Sequence, residues 1–226
     1  MSNLSLLTIV AKGLEHLCQS VVFVGGAVTE LYAADSAAPE VRTTDDVDCV
    51  VELVSYTAFT YFEEELRSLK FKNDTESKVI CRWIYNGIKV DIMPNDASII
   101  GFTNPWYIDG MRNSINYPLE ENLTIRIFAS AWFLASKMVA FSDRGKYDFR
   151  ASSDFEDIIY LLDNRQLLLN ELKTADEKVK QYLKSEFQKY LLSPGVSEGI
   201  FCALPYGSGS ERIHRIKSIM AEIAEL

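Results

Sequence analysis

Apolar side chains recur at helical spacing from Leu4 through Leu7, Val10 and Leu14 to Leu17, which predicts a helix over residues 4–18. VVFV (21–24) is continuous rather than periodic and reads as a short buried strand stopped by Gly25-Gly26; AVTELYAA behind it returns to helical spacing. DVDCVVEL (46–53) predicts a second strand and YTAFTYFEEELRSL (56–69) an amphipathic helix. KVICRWIY (78–85) and IKVDIMP (88–94) flank Asn86-Gly87, the strongest short-range hairpin signal, because both residues accept the positive φ that a tight turn needs. NLTIRIF (122–128) predicts one more strand, leading straight into a helix over 129–141. Beyond it the pattern is helical only, over 153–163, roughly 165–192 and roughly 209–225, with a Pro- and Gly-containing loop between the last two. The change of pattern predicts an α+β chain in two parts: a core over 1–128, built on a small mixed sheet flanked by helices, and a helical domain over 129–226 packed on that core.

Charge and composition narrow the chemistry. Among 226 residues there are 23 basic and 32 acidic side chains, a net charge of −9, which argues against a broad cationic surface for bulk nucleic acid and leaves room for a local basic patch. The longest apolar runs, such as FASAWFLASKMVAF, are too short and too interrupted to span a bilayer. The first twenty residues lack the basic start and small-residue cleavage site of a signal peptide. Four cysteines lie far apart with no C-x-x-C pair and read as reduced, mostly buried thiols, so the expectation is a cytoplasmic protein with no membrane contact. The two histidines, His16 and His214, leave little for chemistry that needs an imidazole base, and no G-x-S-x-G elbow exists for a Ser-His-Asp site.

The stretch RTTDDVDCVVE (42–52) sets Asp46 and Asp48 two residues apart on a strand, hence on one face. Two such carboxylates repel and raise each other's pKa unless a cation lies between them, and Mg²⁺ takes oxygen ligands of this kind together with substrate phosphates. Asp91, among apolar residues of the hairpin, offers a third. The plain alternative makes Asp45 and Asp46 turn residues and Asp91 a surface-facing strand residue. Gly25-Gly26, between a strand and a helix, presents backbone N–H groups to an anion, although most such pairs are only tight turns. Lys137 sits inside an apolar helix, where it either snorkels outward or meets an anion. Arg144, Lys146 and Arg150 form a local positive cluster. SSDFEDII (152–159) carries an N-cap signature with Ser153 as cap, which leaves Asp157 unexplained. The aromatics of NPWYIDGM (104–111) suit either stacking on a base or packing of a loop.

Taken in order, strand–Gly-Gly–helix, then TDDVD, then an aspartate on a later strand, the chain resembles the polymerase-β-type nucleotidyltransferase superfamily. FLASKMVAFSDRGKYDFRASSDFEDIIYLL (133–162) is similar to the lysine, arginine and S-D-x-x-D-I signature of the AbiEii/AbiGii-type toxin nucleotidyltransferases, specifically to an uncharacterised bacterial branch. Arg42 and Thr44 ahead of the aspartates fit the same pattern. The resemblance implies a polymerase-β-type core followed by a helical C-terminal half, and an enzyme that moves an NMP from an NTP to an acceptor, RNA (tRNA) by analogy with the toxins, with Mg²⁺ or Mn²⁺. It implies Gly25, Gly26 and Thr44 as nucleotide-binding, Asp46 and Asp48 as catalytic metal ligands and Asp91 as the third. It also implies Lys137 and Arg144 as nucleotide contacts, Asp154 as the essential carboxylate of the helical half, and a cognate antitoxin as partner. Transfer to a small molecule, as antibiotic-modifying enzymes perform it, and a non-catalytic nucleotide-binding module are the alternatives.

Overall fold

The computed structural model describes residues 1–35, 38–39, 41–53 and 55–226. Helix α1 (Asn3–Leu14) starts at Ser2, whose hydroxyl accepts from the Ser5 amide (3.2 Å), and stops short of the predicted end because Glu15 takes a φ of 46°. Residues Glu15–Gln19 continue as a 3-10 turn into β1 (Val21–Val24), buried along its whole length. Behind it, Gly26–Tyr32 is a 3-10 helix rather than an α-helix. The predicted strand and helix that follow form as β2 (Asp46–Val51) and α2 (Tyr56–Ser68).

The hairpin closes at Asn86 (φ 49°) and Gly87 (φ 79°), joining β4 (Arg82–Tyr85) to β5 (Ile88–Pro94). Its first strand is shorter than predicted, since the Arg82 amide turns back onto the Val79 carbonyl (3.2 Å). Further elements lie where no strand or helix was predicted: β3 (Lys72–Asn73), α3 (Ala97–Ile100), α4 (Tyr107–Arg112) and β6 (Ser114–Glu120), which pairs with the predicted β7 (Leu123–Phe128). Among the described residues, seven strands form one mixed sheet in the order β3-β4-β5-β2-β1-β7-β6. Strand β1 runs antiparallel to β2 and parallel to β7, and β2 runs parallel to β5. Valines 21, 22, 47, 50 and 90 and isoleucines 92, 125 and 127 fill the sheet, with Leu7, Val10 and Leu14 of α1 buried beside them.

The remaining helices are α5 (Ser130–Asp143), α6 (Ser153–Asn164), α7 (Leu168–Lys173), α8 (Glu177–Leu192), α9 (Val196–Ala203) and α10 (Ser210–Ile223). The span predicted as one helix over 165–192 breaks in two, and Asp176 restarts it by accepting from the Lys178 amide (2.8 Å). Rings of Phe141, Phe149 and Phe155 lie 4.8–5.2 Å apart at the middle of this bundle. By internal packing the chain falls into two units, Met1–Val28 with Arg42–Ala129, and Thr29–Val41 with Ser130–Leu226. The sheet lies wholly in the first unit.

Candidate functional site

Gly25 leaves β1 with a φ of 74°, and a Cβ there would stand 1.9 Å from the Asp48 Oδ2. Glycine is therefore required twice, for the backbone and for the carboxylate seated on it. A Cβ on Gly26 would meet the Arg42 guanidinium at 2.5 Å and the Thr44 methyl at 2.7 Å. Both predicted glycines thus lie packed under Asp48, Arg42 and Thr44, Gly25 half-buried and Gly26 buried. Buried Asn3, which carried no sequence signal, pins this segment: its Nδ2 donates to the Arg42 carbonyl (3.0 Å) and its Oδ1 accepts from the Thr44 amide (3.1 Å). The Thr44 hydroxyl donates to the Asp46 carbonyl (3.0 Å), so it is spent on the backbone at the head of β2. Asn3→Ala is expected to cost about 1–2 kcal/mol, two ordinary hydrogen bonds, measured by urea denaturation.

The register sets Asp48 beside Asp91 across the parallel β2–β5 pair, and Arg82 beside Asp91 across the antiparallel β4–β5 pair. Arg82 forks onto Asp91, Nε donating to Oδ1 and Nη2 to Oδ2, both at 2.7 Å, and Nη2 also reaches the Asp46 Oδ2 at 3.0 Å. The Asp91 hydrogen bonds hold the guanidinium pKa above its ordinary value, although partial burial opposes the charge. Asp91 is buried, not surface-facing. The predicted carboxylates therefore come together on three neighbouring strands, yet as arranged they do not fit a three-ligand cation site. Both Asp91 oxygens and one of Asp46 accept from Arg82, and among the described residues no three His, Cys, Asp or Glu side chains converge on a point that would hold a metal ion. Arg82 escaped the sequence reading, although the Asn86-Gly87 turn places it opposite Asp91 by counting alone.

In the helical unit, Lys137 does not snorkel. It is buried in α5, with its Nζ 2.5 Å from the Asp157 Oδ2 and 3.2 Å from the Asp154 Oδ1. Asp157 is thereby explained as one of two internal counter-ions. Arg144, 70% exposed along its side chain, forks back onto Asp154 through Nε (2.7 Å) and Nη2 (2.8 Å). Burial pushes the Asp154 carboxyl up, but the Arg144 hydrogen bonds and the Lys137 charge outweigh it and hold the group below the usual carboxylate range. Arg144, Asp148, Ser153 and Asp154 line a cavity of about 360 Å³. The cap of α6 is Ser152, not the expected Ser153: the Ser152 hydroxyl accepts from the Phe155 amide (3.4 Å). Arg150 pairs with Glu198 at 3.5 Å. In the sheet unit, Trp106 is buried and Tyr107 lies 6.0 Å from the Phe128 ring, so these aromatics pack. Three of the four cysteines are buried, and burial with the nearby Asp91 charge pushes the Cys81 thiol up to about 12.

No family model and no curated protein matches the chain. Among solved structures it is similar to an antigenic nucleotidyltransferase-like protein from Paracoccidioides brasiliensis, with a TM-score of 0.51 and 18% identity over 94% of this chain and 97% of that one. At that identity the likeness establishes the fold, a nucleotidyltransferase-like α+β fold. No helix among the described residues is long and apolar enough to cross a membrane.

Proposed function

We propose that the protein transfers a nucleotidyl group from an NTP to an acceptor: an acceptor oxygen attacks the α-phosphorus, and the bond to the leaving pyrophosphate breaks. The observation that carries this assignment is the Gly25-Gly26 turn with the Asp48 carboxylate and the Arg42 guanidinium packed on it, in a fold similar to that of a nucleotidyltransferase-like protein. Backbone N–H groups at such a turn suit β- and γ-phosphate oxygens, and the Arg42 guanidinium above Gly26 supplies positive charge where the triphosphate would lie. Mg²⁺ or Mn²⁺ is the expected companion of this chemistry. With Arg82 on Asp46 and Asp91 the three-carboxylate set is closed to it, so Gly25, Gly26, Arg42 and Asp48 bear the assignment.

RNA is the proposed acceptor, tRNA first, on the toxin resemblance, and that resemblance also makes an antitoxin the proposed partner. In an acidic chain the phosphate contacts must be local, and Arg144 and Arg150 are the proposed ones. Asp154, itself paired with Lys137, is the proposed support of Arg144. Incubation with each labelled NTP and total tRNA is expected to label RNA. Rising salt suppresses that labelling, Asp48→Asn abolishes it, and Arg144→Ala with Arg150→Ala weakens it more than NTP binding. The net charge of −9 favours a second reading, a small hydroxylated acceptor. Label on such a compound, with RNA untouched at low salt, selects it.

A further inference from the structure

Arg82 makes more contacts than a structural fork needs. Its partnership with Asp91 follows from the hairpin, nine residues apart across a tight turn. A guanidinium needs no third ligand for that. Yet its Nη2 extends across β5 to Asp46 on β2, so one side chain bridges three adjacent strands on the carboxylate-bearing face. Asp46 is the more exposed carboxylate, at 35% of its side chain, and Arg82 keeps 16% of its own surface in solvent. The arginine is therefore neither sealed in the core nor a loose surface charge.

The charges explain the arrangement. Asp46, Asp48 and Asp91 put three negative charges on neighbouring positions of β2 and β5. Like carboxylates this close cannot all ionise cheaply without a cation. Arg82 is that cation in this structure, always protonated and matched in shape to a carboxylate. A divalent ion seeking Asp46 and Asp91 seeks the oxygens that Arg82 already holds. From this geometry we propose that Arg82 is the resident cation of the acidic cluster and that it and a divalent metal ion exclude one another. Metal loading then requires the guanidinium to withdraw from Asp46 and release Asp91. The arginine weakens metal binding in the resting protein and offsets part of the cluster's negative charge when no metal ion is bound. This concerns the carboxylates beside the Gly25-Gly26 turn, and it rests on the nucleotidyl-transfer reading only for the use made of the metal.

Direct Mn²⁺ titration, read from the electron paramagnetic resonance of the free ion without nucleotide, tests the exclusion. Arg82→Met is expected to bind Mn²⁺ about tenfold or more tighter than the wild type, as befits loss of a charge-assisted competitor. Adding Asp46→Asn to that variant should return the affinity to the wild-type level or below. Because Arg82→Met leaves Asp91 buried without its partner, the double variant Arg82→Met/Asp91→Asn removes the fork as a pair and guards against misfolding. It should still bind Mn²⁺ more tightly than the wild type through Asp46 and Asp48. Mn²⁺ affinity no higher than wild type in the folded variants overturns the exclusion. Failure of the wild type to label any acceptor would sink nucleotidyl transfer and leave the Mn²⁺ comparison standing, so the two failures are separable.

Discussion

Lys137→Met is expected to destabilise the helical unit by about 3–5 kcal/mol, the usual penalty for removing one partner of a buried ion pair. Met matches the lysine stem in size, so the side chain beside the Phe133 ring is kept. What is lost is the cation 2.5 Å from Asp157 and 3.2 Å from Asp154, two carboxylates buried to within 2% of their side-chain surface. Arg144 still holds Asp154, so Asp157 bears most of the loss. Urea denaturation at neutral pH measures it, and a change under about 1 kcal/mol would show that the buried pairs contribute little to stability. Acid supplies a second check. The folded pKa of Asp154 is lowered, so its contribution is fully present above the unfolded carboxyl value, about 3.9, and is lost as pH falls through the lower folded value. The part of the difference between wild type and Lys137→Met that comes through the Lys137 charge on Asp154 should therefore shrink as the pH drops through that window.

Gly25→Ala should separate stability from function. The added Cβ would lie 1.9 Å from the Asp48 Oδ2 at a φ of 74°, so either the backbone bends or the carboxylate leaves. Backbone strain alone costs about 1–3 kcal/mol. Displacing a reacting group by an ångström costs on the order of a hundredfold in rate, so NTP-dependent labelling should fall by about that factor. Gly87→Ala is the control: its φ is 79°, with nothing within 4 Å of the added carbon, so it should show the backbone cost and leave labelling intact. Equal labelling by Gly25→Ala and wild type would remove the turn from the site.

Most of the fold was legible wherever one period dominated. The continuous apolar run of β1, the Asp-led β2 and the turn-flanked β5 all emerged from pattern alone. Strand β6, SINYPLE, did not, because an edge strand has no buried face to impose alternation and Pro118 reads as a breaker. Helix α9 was hidden by Gly199, which a sequence reading takes for a loop; here a Cβ would meet the Phe149 Cβ at 2.5 Å, so the helix needs that gap to approach its neighbour. Within the site, the Asp46–Asp48 spacing and the two glycines were plain. The partners of the charges were not, because a side chain's counter-ion depends on register and burial rather than on its neighbours in the chain. Lys137 illustrates this. The helix around it is buried from Ser130 to Met138, so it has no polar side toward which a lysine could escape.

The strand order carries a consequence for how the protein behaves when concentrated. A sheet invites further strands at its two free edges, and here both are poor templates. Strand β3 is two residues long with Lys72 and Asn73 exposed, too short and too charged to seed a ladder. At the far edge β6 carries Pro118, which has no N–H to give, and an irregularity between Pro118 and Glu120 that bends the strand out of register. The apolar strands most prone to cross-chain pairing, β1 and β2, are enclosed by five others. Aggregation through this sheet would have to begin from an unfolded chain, not by strand addition to the folded one.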